Sequence, residues 1–585
     1  MSETTGFFVA QNKIPLDETY VAIPSQNGLS YDAQKLIEFY IPPNVDTFKP
    51  KNSYLQFDLT LSQDSSASTT RLQLDELIGG QCLIDTIRIH SGDKTQLLEE
   101  IRHYPVHVAM KYAYHSTPTL RDLRALNEGC GIWTPDTRGT RGTSKSILAN
   151  HKFSPYYKSV SGTQTTPFTN TNSYIQCKLK LPLHTGLFQN DKVVPCGLMN
   201  GLFVTILTSE NKRVFRQLDS VNASRRLQLN PVFHSTNGNN HAPASWKTGA
   251  AASTNVFYCR VDNNNHEVDN FPFVVGETLQ FMDINRAKHT ISNSNGSDIS
   301  IKQIEVSGNG SSKFVKVTLQ NVAEIDVAMD AEGSDRYFLY STSVRDATTY
   351  NPSYSMSNVE LVLCQIDMGA AARAEIQRDM REGKMMVYDF LSTQVYNYSQ
   401  LKGDRVANIG IPANHQRAKS IICVPTDSSV YSIKDSIACN DTYEIHSNSH
   451  DSKLLSTQSG IAGISDRLTE YFFFYDGRNQ PSLNVKTNKI SSKTSIDAIP
   501  LLELDKALFQ AGMPALSMNR FQDNFAIGRA FSLNNGTYDM RDKDCRLNVY
   551  YQDSANAPTK DKLWVNLVYH IRRINIRADS VTLEV

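Results

Sequence analysis

His446 and His450 stand four residues apart, a spacing that on a helix would bring two imidazoles to one face as metal ligands. Ser447-Asn448-Ser449 between them favours a loop, and no cysteine or acid follows at zinc-site spacing, so the pair reads as ordinary loop histidines. His103 and His107 flank Pro105 in an amphipathic stretch and read as packing histidines; Glu99 and Glu100 read as helix surface rather than an acid/base pair. Arg138-Gly139-Thr140-Arg141-Gly142-Thr143-Ser144-Lys145 is a basic, Gly-rich run whose backbone is able to cradle a phosphate. It follows no apolar strand and opens no helix, which makes it a surface or inter-subunit loop. His570-Ile571-Arg572-Arg573-Ile574-Asn575-Ile576-Arg577 alternates basic and apolar residues and reads as a strand with its arginines on a solvated face.

The commonest catalytic templates do not occur: there is no phosphate-binding P-loop, no G-x-S-x-G elbow and no H-E-x-x-H zinc helix. Trp133, Trp246 and Trp564 lie far apart in unlike contexts, so no tryptophan platform for sugars is evident. No row of aromatics among basic residues suggests an RNA-binding sheet. The sequence therefore assigns no catalytic, cofactor-binding or metal-ligating residue and implies no cofactor.

The elements around these residues are mostly strands. At 585 residues the chain exceeds one compact core. Basic and acidic residues balance at 59 each, which gives no general attraction to nucleic acid or anionic membranes. Nine cysteines without C-x-x-C spacing read as mostly reduced, buried thiols, and the first residues lack the pattern of a secretory signal. Leu55, Phe57, Leu59 and Leu61 alternate on one face, and similar runs recur at 83–89, 174–181, 202–207, 314–319 and 359–366. The second half repeats the pattern at 419–424, 471–475, 525–531, 546–551 and 563–576. Such spacing predicts an all-β chain of antiparallel sandwiches.

Three helices are expected. Residues 371–382, rich in helix formers and closed by Gly383, form a connector between two domains. Residues 96–114 carry apolar residues at helical spacing, divided or kinked by Pro105. Residues 501–510 place Leu502, Leu504, Leu508 and Phe509 on a buried side. The polar stretches 130–172 and 232–268 are too long for tight turns and read as surface excursions.

Several segments then resemble one family: the double jelly-roll major capsid proteins of polinton-like viruses, virophages and their adenovirus-hexon-like relatives. Ile41-Pro42-Pro43 and the strand 54–61 resemble its opening strand pair, and Leu181-Pro182-Leu183-His184-Thr185-Gly186-Leu187-Phe188 resembles a segment of its first roll. Ser357-Asn358-Val359-Glu360-Leu361-Val362-Leu363 resembles the strand closing that roll, followed by the connector and Tyr388-Asp389-Phe390. Tyr471-Phe472-Phe473-Phe474-Tyr475-Asp476-Gly477, Gln480-Pro481 and 501–508 resemble a segment of the second roll. The order of these matches over more than 500 residues is more specific than any one of them.

The resemblance implies two tandem eight-stranded jelly rolls: 1–369 with long surface loops, a connector helix at 370–384, and 385–585. It implies homotrimeric, pseudo-hexagonal capsomers that tile the icosahedral shell of a double-stranded DNA virus. Partners would be neighbouring capsomers, vertex (penton) and minor capsid proteins, with no small-molecule substrate and no sequence-specific nucleic-acid binding. The protein would reside in the virion after synthesis in the host cytoplasm or nucleus, without secretion. Alternatives are a minor capsid or spike protein, distinguished by copy number, and a β-sandwich carbohydrate-binding protein or glycoside hydrolase, which would need a sugar cleft.

Overall fold

The computed structural model describes most of residues 17–117, 175–218, 352–427, 468–518 and 524–584, with short segments at 120–129, 163–164, 227–341 and 461–465. Eight strands build the first unit: β1 (Asp17–Pro24), β2 (Leu36–Ile41), β3 (Phe48–Gln63), β4 (Ile84–Ser91), β5 (Leu97–Ile101), β6 (Ile175–Pro182), β7 (Leu202–Thr208) and β8 (Pro352–Asp367). They form two antiparallel sheets, β1-β8-β3-β6 and β2-β7-β4-β5. Leu55, Phe57 and Leu59 of β3 are fully buried, as their alternation requires, facing a core that includes Phe39, Ile87, Ile89, Val204 and Ile206.

The second unit repeats this plan with β9 (Met386–Gln400), β10 (Val406–Gly410), β11 (Ala418–Asp427), β12 (Glu470–Tyr475), β13 (Arg478–Lys486), β14 (Ile527–Ala530), β15 (Arg546–Tyr550) and β16 (Lys562–Ile576). Its sheets run β9-β16-β11-β14 and β10-β15-β12-β13. Adding eight to every label of the first unit gives the second. The β12–β13 hairpin turns on Asp476 and Gly477, both at positive φ (55° and 72°), the two-residue turn that matches strand twist and that Asp-Gly favours.

Three helices join or cover these sheets: α1 (Tyr104–Tyr114), α2 (Gly369–Arg381) and α3 (Ala498–Gln510). The connector expected at 371–382 is α2, and it ends at Gly383, whose φ of 70° lets its N–H reach Met380 O while Lys384 N–H reaches Asp379 O. Two expectations need correction. Residues 97–101 are strand, not helix: His103 enters a left-handed turn (φ 49°) and Pro105 occupies the first turn of α1, where its missing N–H costs nothing. In α3, Leu504 and Leu508 are buried, but Leu502 and Phe509 are more than half exposed.

The strand expected at 314–319 is present, but it belongs to an insertion between β7 and β8. Strands from 227–341, joined by Thr163–Gln164, form two further sheets, one of four strands and one of five. Stretches 130–172 and 232–268 otherwise lie outside the described residues. Cys82, Cys196, Cys364, Cys423 and Cys545 are buried.

Candidate assembly interface

A set of buried polar contacts lies where the first eight-stranded unit meets the second. Glu99 on β5 is 1% exposed. Its carboxylate accepts backbone N–H bonds from Gly186 (2.8 Å) and Leu187 (3.0 Å) and the hydroxyl of Ser392 on β9 (3.1 Å). Burial pushes its pKa up, against those donors and the nearby Arg572 guanidinium. Gly186 has no room for a side chain, since a Cβ there would stand 1.8 Å from Leu391 O. Around it, the Asn397 amide donates to His103 Nε2 (2.8 Å), and both the Asn190 amide and Lys192 Nζ donate to Asp389 O (3.1 and 3.2 Å).

Arg572 on β16 crosses the same boundary. Its guanidinium donates to Leu98 O (2.6 Å), Gln394 Oε1 (3.1 Å) and His570 Nε2 (3.0 Å), and His570 stacks on His415 at 3.7 Å between centroids. Further along, Tyr114 donates to Asn524 O, and Leu516 N–H donates to Tyr114 O (2.9 Å). Because Glu99, Arg572 and Tyr114 each meet a partner from the other unit, the contact is specific as well as apolar.

Behind the boundary lies a closed hydrogen-bond ring inside the first unit. Lys111 Nζ donates to His184 Nδ1 (3.1 Å), which leaves Nε2–H to donate to the Tyr112 hydroxyl (2.6 Å), which in turn donates to Glu128 Oε2 (2.7 Å). Gln81 donates to Glu128 (3.1 Å) and accepts from Tyr104 (2.9 Å), whose hydroxyl accepts the His184 backbone N–H (2.9 Å). That pattern needs a neutral His184. Burial accordingly pulls His184 well below its ordinary pKa, lowers Lys111 to about 8 and raises Glu128 to about 7. Chemically the ring is a brace for the Leu183–Phe188 loop.

Two sandwiches of identical strand order, in tandem on one chain, decide the architecture. It is a double jelly roll. No protein-family model and no curated protein matches the chain. Among solved structures, the chain is similar to the Faustovirus major capsid protein at 8% identity, covering 96% of this chain and 91% of that one with a TM-score of 0.46. It is similar to the Sputnik virophage structure determined by cryo-electron microscopy at 9% identity, covering 97% and 88% with a TM-score of 0.43. The mavirus major capsid protein is similar at 9% identity, covering 97% and 90% with a TM-score of 0.30. The strand order, read directly from the register of each pair, is what fixes the fold.

The double jelly roll relocates several residues singled out in the sequence. Glu99 and Glu100 are successive positions of a strand, so they point oppositely. Glu99 enters the seam between the rolls, whereas Glu100 pairs outside with Arg88 (2.7 Å) and Arg102 (3.2 Å). His107 is buried with Nδ1 3.2 Å from the Tyr569 hydroxyl across the seam, and burial lowers its pKa to about 3. Arg572 and Arg573 are not a solvated face: Arg572 is buried in the seam and Arg573 pairs with Asp389 (2.8 Å). Trp564 is fully buried, its indole N–H on Gln400 Oε1 (2.8 Å), and so serves packing. His446, His450, Arg138–Lys145, Trp133 and Trp246 lie outside the described residues. Among the described residues no group of three or more His, Cys, Asp or Glu is arranged to hold a metal ion.

Sequence reasoning missed Glu99, Arg572 and the ring around His184. No local signal relates them, because the turn at 184–187 and Glu99 are brought together by the fold alone.

Proposed function

We propose that this chain is a major capsid protein, a non-enzymatic brick whose copies assemble as homotrimeric, pseudo-hexagonal capsomers into the icosahedral shell of a double-stranded DNA virus. The observation that carries the reading is the tandem repeat of one strand order within a single chain, docked through a buried polar seam. Such a brick presents two similar sides, which suits repetitive tiling. The segmental resemblance of the sequence to double jelly-roll capsid proteins supports the same reading. The division into 1–369, a connector at 370–384 and 385–585 belongs to this proposal, as do partners at the vertices, minor capsid proteins and residence in the virion.

Native mass spectrometry of the purified full chain tests it. The expected species is three times the 65.5 kDa chain mass. A single copy persisting at micromolar protein overturns the capsid reading.

A further inference from the structure

Arg572 ties the second roll to the first. Its guanidinium reaches Leu98 O on β5 (2.6 Å) and Gln394 Oε1 on β9 (3.1 Å), while its Nε stands 3.0 Å from His570 Nε2. A guanidinium has donors and no acceptor, so the last contact exists only while His570 Nε2 keeps its lone pair. The other ring nitrogen, 3.4 Å from Val568 O, then carries the proton. A second buried imidazole lies flat on the first: His415, between β10 and β11, stacks on His570 at 3.7 Å and 14°. Its Nε2 meets the Tyr396 hydroxyl (3.1 Å), and its Nδ1 has no hydrogen-bond partner among the described residues.

The charges around this pair supply no counter-ion for an imidazolium. On β16, Arg572 is itself a cation and Arg573 pairs with Asp389 of β9. From β11, which places Ala418 opposite His570, Arg417 pairs with Glu584 (2.7 Å), and burial lowers the pKa of Lys419. The segment whose Met540 N–H donates to His415 O holds Asp539 and Arg541 paired with each other (2.6 Å) and Lys543 on the Tyr538 hydroxyl. The first roll contributes Glu99 on Ser392, Glu100 on Arg88, His107 on Tyr569 and His103 on Asn397. The two carboxylates act on Arg572. Burial and the neighbouring positive charge therefore lower His415 to about 4 and hold His570 well below the ordinary imidazole value.

We propose that Arg572, His570 and His415 form an acid-released latch between the two rolls: a proton on His570 turns Nε2 into a donor facing Arg572 and breaks the bond that holds Leu98 O. Two positive groups 3.0 Å apart in a dry contact repel strongly. Because the strained residues sit at the seam, the rolls part there before either core melts. The latch belongs to the single chain and stands apart from how copies assemble. Opening admits water and returns the imidazoles toward their ordinary value near 6.5, so the seam is held above that pH and released as pH falls toward the folded values. His107, lowered to about 3 beside Tyr569, adds to the effect. Glu99 opposes it, since burial makes its carboxyl hold a proton more tightly in the closed seam. Three imidazoles against one carboxyl leave a net uptake of at least one proton on opening between pH 6 and 5, which raises the opening equilibrium about tenfold or more.

Hydroxyl-radical footprinting of the full chain, read by mass spectrometry, tests the latch. Tyr569 and Tyr114 are buried and bond across the seam, whereas Phe39 and Phe473 are buried in the two cores. Modification of the two tyrosines is expected to rise about tenfold between pH 6 and 5 while the two phenylalanines stay protected. His570→Gln with His415→Phe keeps an acceptor for Arg572 and a ring to cover it but removes both titrating groups, and is expected to abolish most of that rise. Tyrosines still protected at pH 5, tyrosines and phenylalanines exposed together, or a rise unchanged in the double variant would each overturn the latch. Should the double variant fail to fold, deuterium exchange at the imidazole C2–H of the wild-type chain decides: His415 and His570 are expected to take up protons together with the tyrosine exposure, and titration of either near 6.5 in a protected seam overturns the proposal.

Discussion

Glu99 shows how a single residue joins the two rolls. Its carboxylate satisfies two backbone N–H groups of the 186–187 turn and the Ser392 hydroxyl, and Arg572 lies near enough to influence its charge. Removing it strands those donors in a dry seam. Glu99→Ala is expected to destabilise the fold by about 3 kcal/mol in urea unfolding, since an unsatisfied buried donor costs about 1–3 kcal/mol each. A loss under 1 kcal/mol would show that the donors find other partners. Nothing in the residue types announced this role, because Leu97-Leu98-Glu99-Glu100-Ile101 fits a helix surface as well as a strand. The deciding fact is that 97–101 pairs as a strand with β4, Ile89 opposite Glu99 and Arg88 opposite Glu100, which sends the two carboxylates to opposite faces. His184 was similarly opaque, because its partners Lys111, Tyr112 and, through Tyr112, Glu128 are brought to it by folding alone.

At the scale of elements, strand identity was largely legible and pairing was not. Period-two alternation at 54–61 marks only the C-terminal half of β3 (Phe48–Gln63), whereas the apolar runs mark β7, β12 and β16 close to their observed limits and β11 within three residues. The connector was legible too, since helix formers closed by a glycine leave few other readings. Helix α3 was found but its exposed side was misjudged, because four large apolar residues suggest one buried face while two of them face outward. Where elements meet, small residues are strict. Gly186→Ala would drive a methyl group into the Leu391 carbonyl, so it is expected to lower stability by about 3 kcal/mol and to separate the unfolding of the two rolls in calorimetry. Gly477→Ala, at a φ of 72° in the β12–β13 turn but with nothing within 4 Å of its Cβ, should cost only about 1 kcal/mol through backbone strain. Matching losses for the two substitutions would contradict the distinction between a packed contact and a strained turn.

For the whole molecule, four buried histidines set the response to acid. Burial lowers His107 to about 3 and His415 to about 4, and holds His184 and His570 well below the ordinary imidazole value. The unfolded chain binds protons at these sites near pH 6.5, so their contribution is present above that pH and is lost on acidification toward the folded values. Glu128, raised to about 7, and Glu99, also raised, act oppositely: each holds a proton more tightly in the folded than in the unfolded state, which favours the fold at lower pH. Near pH 5.5 the depressed imidazoles outweigh the raised carboxyl groups, so the unfolded chain binds more protons than the folded one and stability falls on acidification there. Melting temperature should drop as pH is lowered from 6.5 to 5; a rise would contradict the neutral state of the buried imidazoles.

The two-roll plan of the whole molecule was legible through the order of its segments, and the strand register bears it out. The seam was not, because its partners come from positions such as 99 and 392, or 98 and 572, that no local pattern relates. Function at this scale lies between copies, and the most direct test is single-particle electron microscopy of the purified full chain. Three copies presenting six rolls in a pseudo-hexagonal outline are the expected result; isolated two-lobed particles of one chain would contradict it.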